Sequence, residues 1–303
     1  MSIILSSISQ GLLWSIMAIG VYLTFRILDI ADLTAEGSFP LGAAVCASLI
    51  VAGISPILST LIAVFCGMLA GVVSGLLHTK LKIPALLTGI LTMTGLYSIN
   101  LRIMGKANVT LLGEETLIRT VQSYGLNSRM AVLVVGMMAS LLVIFLLYLF
   151  FNTETGLAIR STGDNEAMSE ANGIHTNTMK VIGYMLSNGL IALSGALIAQ
   201  NNSYADIGMG IGTIVIGLAS VIIGEVLFHQ LSFAKRLLTI VVGSIVYRLI
   251  IDLVLQLGID PQDIKLFSAL ILAIALSTPL IKRKSKVGQK NRRVRRVKEE
   301  IVK

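Results

Sequence analysis

Charge is what this sequence has least of. Only 13% of its 303 residues are Asp, Glu, Lys or Arg, against 55% hydrophobic, and the mean hydropathy is +0.86. A soluble globule of that length needs far more polar surface, so the composition excludes one and indicates a polytopic membrane protein. Cysteine is nearly missing too: Cys46 and Cys66 both fall inside apolar runs, where they read as small hydrophobes and not as a disulfide or metal pair. His78, His175 and His229 share no ligand spacing, and no metal site is expected. No Gly-x-x-x-x-Gly-Lys-Ser/Thr loop occurs, so the chain cannot cradle the phosphates of ATP, and no nucleophile-base cluster stands out. Catalysis by this chain is not expected.

What is present is a series of membrane-length apolar runs. Ile57 to Leu77, Ala131 to Phe151, Val181 to Gln200 and Leu237 to Leu257 can each cross a hydrocarbon core of roughly 30 Å as helices. They are continuously apolar and do not alternate, which favours helices over a barrel. The first run, Ile3 to Phe25, lacks a basic flank and a cleavage site and reads as a retained span. The tail from Lys282 to Lys303 holds 11 of the 24 basic residues, leaving 13 basic against 14 acidic elsewhere. By the positive-inside rule this 282–303 tail is cytosolic, with anionic lipid headgroups as its partner; it lacks the interleaved aromatics of a nucleic-acid site. Counting back gives spans at 264–281, 237–257, 207–228, 181–201, 131–151, 84–104, 57–77, 36–53 and 3–25. That is an all-α bundle of about nine spans, within a range of about eight to ten, with the N-terminus outside. Pro40 and the glycines of 207–228 mark two spans as broken or re-entrant.

Several spans carry further signals. Gly67, Gly71 and Gly75 strip one helix face to the backbone, a packing signal. Thr88, Thr92, Gly95 and Arg102 fall roughly on one face of another span, which either lines a pathway or carries threonines bonded back to their own helix. Ala31-Asp32 and Ala205-Asp206 each open a glycine-interrupted segment, at opposite membrane faces, as an inverted repeat would leave them. Arg248 and Asp252 are charges within a span, four residues apart on one face. They read as a structural ion pair, or as a pathway site in which Arg248 meets a substrate carboxylate. Glu225, Asp32 and Glu36 fall near cytosolic span ends, where solvated or capping carboxylates explain them as well as a gate does.

The longest polar interruption is Thr153 to Lys180, which the counted topology places in the cytosol. Asp164 and Asn165 can cap a short helix over Glu166 to Asn172, and Gly173 suits its end. Ala167, Met168 and Ala171 share a face too short to fold alone, so this helix must dock on something.

At this point the residues resemble a known family. The run GLAIRSTGDNEAMSEANGIHTNTMKVIGYMLSNGLIALSGALIAQ from Gly156 resembles the coupling region of permease subunits of ATP-binding-cassette importers, in the group handling branched-chain amino acids and ribose. LDIADLTAEGSFPLGAAV from Leu28, KIPALLTGILTMTGL from Lys82 and SYADIGMGIGTIVIGLASVIIGE from Ser203 agree with it, in order along nearly the whole chain. The wording EGSFPLGAAV is similar to that of permeases assigned to tryptophan or tyrosine uptake.

The resemblance implies an importer-type permease domain over 1–281 whose coupling loop, 153–180, docks on the ATPase through Gly156, Arg160, Asp164, Asn165, Glu166, Ala167, Met168 and Gly173. It departs from the general loop pattern: Glu166-Ala167-Met168 lies one residue too far from Gly173, and no Leu-Pro follows. The partners implied are two ATPase subunits that hold ATP and Mg, a second permease subunit and an extracytoplasmic binding protein, at the cell membrane. The substrate implied is an amino acid, aromatic or branched-chain, with a sugar or nucleoside as the alternative. The residues alone leave open an ion-driven transporter or channel with Arg248, Asp252 and Asp206 as relays.

Overall fold

The computed structural model describes residues 2–228, 232–258, 263–274 and 277; the basic tail at 282–303 and His229 lie outside them. The architecture is a helix bundle with one small pair of strands. In chain order the helices are α1 (Ser2–Tyr22), α2 (Ala35–Val51), α3 (Pro56–Thr79), α4 (Ala85–Met104), α5 (Leu117–Gln122) and α6 (Ser128–Phe151). After them come α7 (Glu154–Asp164), α8 (Glu166–Ala171), α9 (Thr176–Asn202), α10 (Thr213–Leu227), α11 (Phe233–Gln256) and α12 (Ile264–Ile274). Eight of the nine spans counted from sequence each carry a helix, and of the ninth, 264–281, residues 264–274 form α12 while most of 275–281 lies outside the described residues. Among the described residues, six are long and apolar enough to cross a membrane: α1, α3, α6, α9, the segment ending in α10, and α11. The count of about nine is reached only by adding α2 and α12, which are shorter, and α4, which carries Thr94, Asn100 and Arg102 among its apolar residues.

Two interrupted spans take different forms. Pro40 does not break α2, because it falls within the first turns, where one lost N–H costs little continuity. The carbonyl of Glu36, four residues earlier, instead has Gly210 against it; a Cβ on Gly210 would come within 2.0 Å of that oxygen. The 207–228 span is split into a 3₁₀ turn, Ile207–Gly210, and α10, separated by Gly212 at φ +83°. The Gly212 N–H donates to the Glu36 carboxylate at 3.0 Å, so the break is fixed by α2.

α9 organises the bundle. Its 27 residues rise about 40 Å, and it packs on α1, α2 and α3. The α3 glycines lie against its backbone: a Cβ on Gly67 would stand 2.3 Å from the Ala192 Cβ, one on Gly71 2.3 Å from the Tyr184 oxygen, and one on Gly75 2.9 Å from the Val181 Cα. The outer face of α3 exposes Leu58, Leu61, Phe65, Leu69 and Val73, and α6 exposes Leu141, Leu142, Phe145 and Leu149, apolar stripes suited to lipid.

The bundle has two distinct ends. At one, β1 (Asn108–Thr110) pairs antiparallel with β2 (Tyr204–Asp206), in register Asn108 to Asp206. These strands were not anticipated from sequence, since three residues are too few for an alternation signal. At the other end are α7 and α8, joined to the first residues of α9. Gly71→Val should overpack the α3–α9 contact and cost about 1–3 kcal/mol. A thermal unfolding midpoint in detergent should drop for this variant and stay unchanged for Gly95→Val, whose added Cβ meets nothing within 4 Å.

Candidate functional site

The polar segment 153–180 folds into two helices rather than the one expected. Thr153 caps α7 by accepting the Gly156 N–H at 3.3 Å, and α7 continues to Asp164, which is thus a last helical residue and not a cap. Asn165 breaks the chain in an extended conformation, and its Oδ1 accepts the Met168 N–H at 2.9 Å to start α8. α8 ends one residue short of the expected Asn172. There the Gly173 N–H donates to the Glu170 carbonyl at 2.9 Å and the Ile174 N–H to that of Ser169 at 3.0 Å. This double closure needs a left-handed residue after the cap, and Gly173 supplies it at φ +81°.

The rest of the segment divides into an inner and an outer set. Gly156 is buried, with Phe150 and Phe151 so close that a Cβ would fall 2.3 Å from the Phe150 oxygen. Arg160 lies over the Phe233 ring of α11, 5.0 Å from its centroid. Both face the membrane helices. Gly163 presses on the backbone at the end of α1, where a Cβ would stand 1.6 Å from the Ile27 oxygen. By contrast Asp164, Asn165, Glu166, Ala167, Met168 and Gly173 are exposed, with Met168 at 64%. α8 is held by Glu166, which pairs with Lys180, and by side chains that the sequence did not single out: Glu170 accepts from Thr176 at 2.8 Å, and Ser161 meets Ser169 at 2.7 Å. The 14-residue spacing of Glu166 and Lys180 spans a turn whose path only the fold defines.

The candidate pathway residues do not form one group. Thr88 and Thr92 are buried against neighbouring helices; Thr92 accepts from Ser74 at 2.9 Å, and Thr88 donates back to the Ile83 carbonyl at 3.4 Å. Gly95 and Arg102 are exposed on α4 away from them. Asp206 closes a turn by accepting the Gly208 N–H at 2.8 Å, and Asp32 does the same with the Thr34 N–H at 2.9 Å, so the two halves of the sequence echo share a local geometry. Asp32 is buried at 4% exposure and also accepts from Asn188 at 2.9 Å, while Asn188 accepts from Ser38 at 2.7 Å. This network joins α2 to α9, and its sequence signal was Asn188 inside an apolar run. Arg248 and Asp252 pair at 3.4 Å, and Ser7 of α1 donates to Asp252 at 2.5 Å. Arg248 borders a cavity of about 270 Å³.

The family described as the branched-chain amino acid transport system permease component matches residues 3–277. The chain belongs to this family. As a permease component of an importer of the ATP-binding-cassette type, it is a multi-pass membrane protein and not itself the catalytic part. A tyrosine transport system permease protein of Clostridioides difficile (strain R20291) is 44% identical over 92% of each chain. An uncharacterized protein of Rickettsia prowazekii (strain Madrid E) is 33% identical over 92% of this chain and 98% of its own. A ribose import permease protein of Haemophilus influenzae is 24% identical over 90% of this chain and 83% of its own. No solved structure matches.

The permease loop should depend on its two capping residues. Asn165→Ala removes a cap worth about 1 kcal/mol, and Gly173→Ala forces a Cβ into a left-handed conformation at about 1–2 kcal/mol. Hydrogen exchange at residues 166–174 should accelerate in both variants, while the α9 amides from 181 onward keep their protection.

Proposed function

We propose that α8 is the docking element through which a soluble ATPase drives this permease, and that the solute imported is an amino acid. The observation that carries this reading is the exposed face of Ala167, Met168 and Ala171. A helix of six residues is too short to be stable alone. Here it is built with a cap, a left-handed closure and an ion pair to α9, and its outward side chains are small or flexible apolar groups with nothing over them. Met suits a surface that must be filled by another protein. The inner side of the same segment, through Gly156, Arg160 and Gly163, is fixed to α6, α11 and the end of α1, so a push on α8 reaches several spans.

In the assembly we propose, two copies of the permease meet two ATPase subunits, which hold ATP and Mg, and an extracytoplasmic binding protein delivers the solute. The α8 end and the basic tail are cytosolic, the N-terminus and the β1–β2 end extracytoplasmic, and the tail meets anionic headgroups. The tyrosine transport permease, similar over nearly the whole chain, supports an amino acid, an aromatic one in particular, over a sugar.

Met168→Asp places a charge at the centre of the proposed contact without touching the bundle. A central apolar contact is worth about 2 kcal/mol or more, so ATP-driven uptake by the reconstituted complex should fall about tenfold or more. The permease should still be recovered from the membrane at its usual level. Unimpaired uptake with the ATPase still co-purifying would count against α8 as the docking element.

A further inference from the structure

The cavity beside Arg248 lies between α1, α9, β2 and α11, at the end of the bundle opposite α8. Its polar lining is Gln10, Asn201, Asn202, Tyr204 and Arg248, and Trp14 forms part of its wall. At about 270 Å³ it is close to the lower bound for small-molecule sites, which suits a solute of amino-acid size. Arg248 makes an unusual contribution. Its Nε stands 3.4 Å from Asp252 without hydrogen-bond geometry, and among the described residues its guanidinium donates no hydrogen bond. Asp252 is instead satisfied by Ser7. Its Nε is buried beside Asp252, which leaves the four N–H donors of the two terminal nitrogens, a pair that can fork onto a carboxylate. Trp14 stacks on Phe39, with centroids 5.2 Å apart and planes 19° from parallel, which fixes its indole in the wall.

We infer that this cavity is a transit subsite for a free amino acid, with Arg248 contacting the α-carboxylate. The inference rests on the amino-acid reading above and deepens it. The amide oxygens of Gln10, Asn201 and Asn202 can accept from the ammonium group, and Trp14 and Tyr204 offer apolar surface to the side chain. A sugar presents no charge to match an arginine that lacks hydrogen-bond partners. Asp252 shares the positive charge, which keeps the carboxylate contact weak enough to release, as a pathway requires. Because α9 spans about 40 Å, the cavity lies at the far membrane face from the ATPase contact, where an extracytoplasmic binding protein would deliver solute.

Trp14 is the single tryptophan of the chain, so its emission reports on this cavity. The full-length permease in lipid nanodiscs, excited where tryptophan alone absorbs, is titrated with L-phenylalanine and with L-phenylalaninamide, which lacks the carboxylate. A saturable change with phenylalanine, about tenfold or more weaker with the amide, is expected. Arg248→Gln combined with Asp252→Asn, which leaves no unpaired charge, should erase the preference. Arg248→Lys, which keeps the ion pair but loses the fork, should weaken the phenylalanine response several-fold. Equal responses to both probes in the unaltered protein, no response up to the solubility limit, or an unchanged preference in the double variant would overturn the inference. Reconstitution with the ATPase and binding protein separates the two readings. ATP-driven amino-acid uptake with a silent Trp14 removes the subsite alone, whereas a carboxylate-dependent response without ATP-driven amino-acid uptake keeps the subsite and removes the proposed import of an amino acid.

Discussion

The structure depends on backbone-to-backbone contact around α9. Between helices in a bilayer the hydrophobic effect offers little, since lipid is as apolar as leucine, and association has to come from dispersion at short range and from a few polar bonds. The helices supply both. Glycines appear on each side of the α9 contacts: a Cβ on Gly42 of α2 would fall 2.0 Å from the Ala192 oxygen, and one on Gly195 of α9 would fall 2.0 Å from the Phe39 oxygen. Polar side chains then fix the depth of one helix against another. Ser194 donates to the Leu13 carbonyl and Ser187 to that of Gly20, both on α1, while Asn188 reaches Asp32. Small residues permit the approach, and the hydroxyls and amide select the register.

How far this could be read from sequence varied with the range of the signal. Apolar runs and Gly67, Gly71 and Gly75 are local patterns, and the helices that carry them are where the runs lie. The α8 helix was legible because its start and stop signals, Asn165 and Gly173, are single residues with conformational requirements of their own. α7 was missed as a helix, since Thr153 can cap but Leu157 and Ile159 are the only large apolar residues in it and two glycines, Gly156 and Gly163, interrupt it. The β1–β2 pair was missed because its strands are three residues long and almost one hundred residues apart.

The candidate site shows the same division. Arg248 and Asp252 stood out as charges in an apolar span, and their pairing at i and i+4 follows from helical spacing. The cavity beside them did not stand out, because its lining is drawn from three further elements, Gln10 and Trp14 from α1, Asn202 from α9 and Tyr204 from β2, which are far apart in sequence. Thr88 and Thr92 read as a stripe on one face of α4; in the fold Thr88 donates to the Ile83 carbonyl just before that helix and Thr92 accepts from Ser74 of α3, partners that spacing alone does not specify.

The two ends of the bundle are joined by the same helices that line the cavity. α1 carries Gln10 and Trp14 toward one end, and the π-helical turn that continues it, Leu23–Ile27, receives Gly163 of α7. α9 carries Asn201 and Asn202 at one end and, at the other, Thr176 and Lys180, which hold the acidic side chains of α8. α11 places Arg248 in the cavity wall and Phe233 under Arg160. Each of the three helices therefore contacts the 153–180 segment near one end and the cavity toward the other. These contacts are a glycine against backbone, an ion pair, a hydroxyl-to-carboxylate hydrogen bond and a cation over a ring, all at short range. If α8 is pushed as proposed, close packing of α7 at Gly156 and Gly163 would pass the load to helices that also bound the cavity.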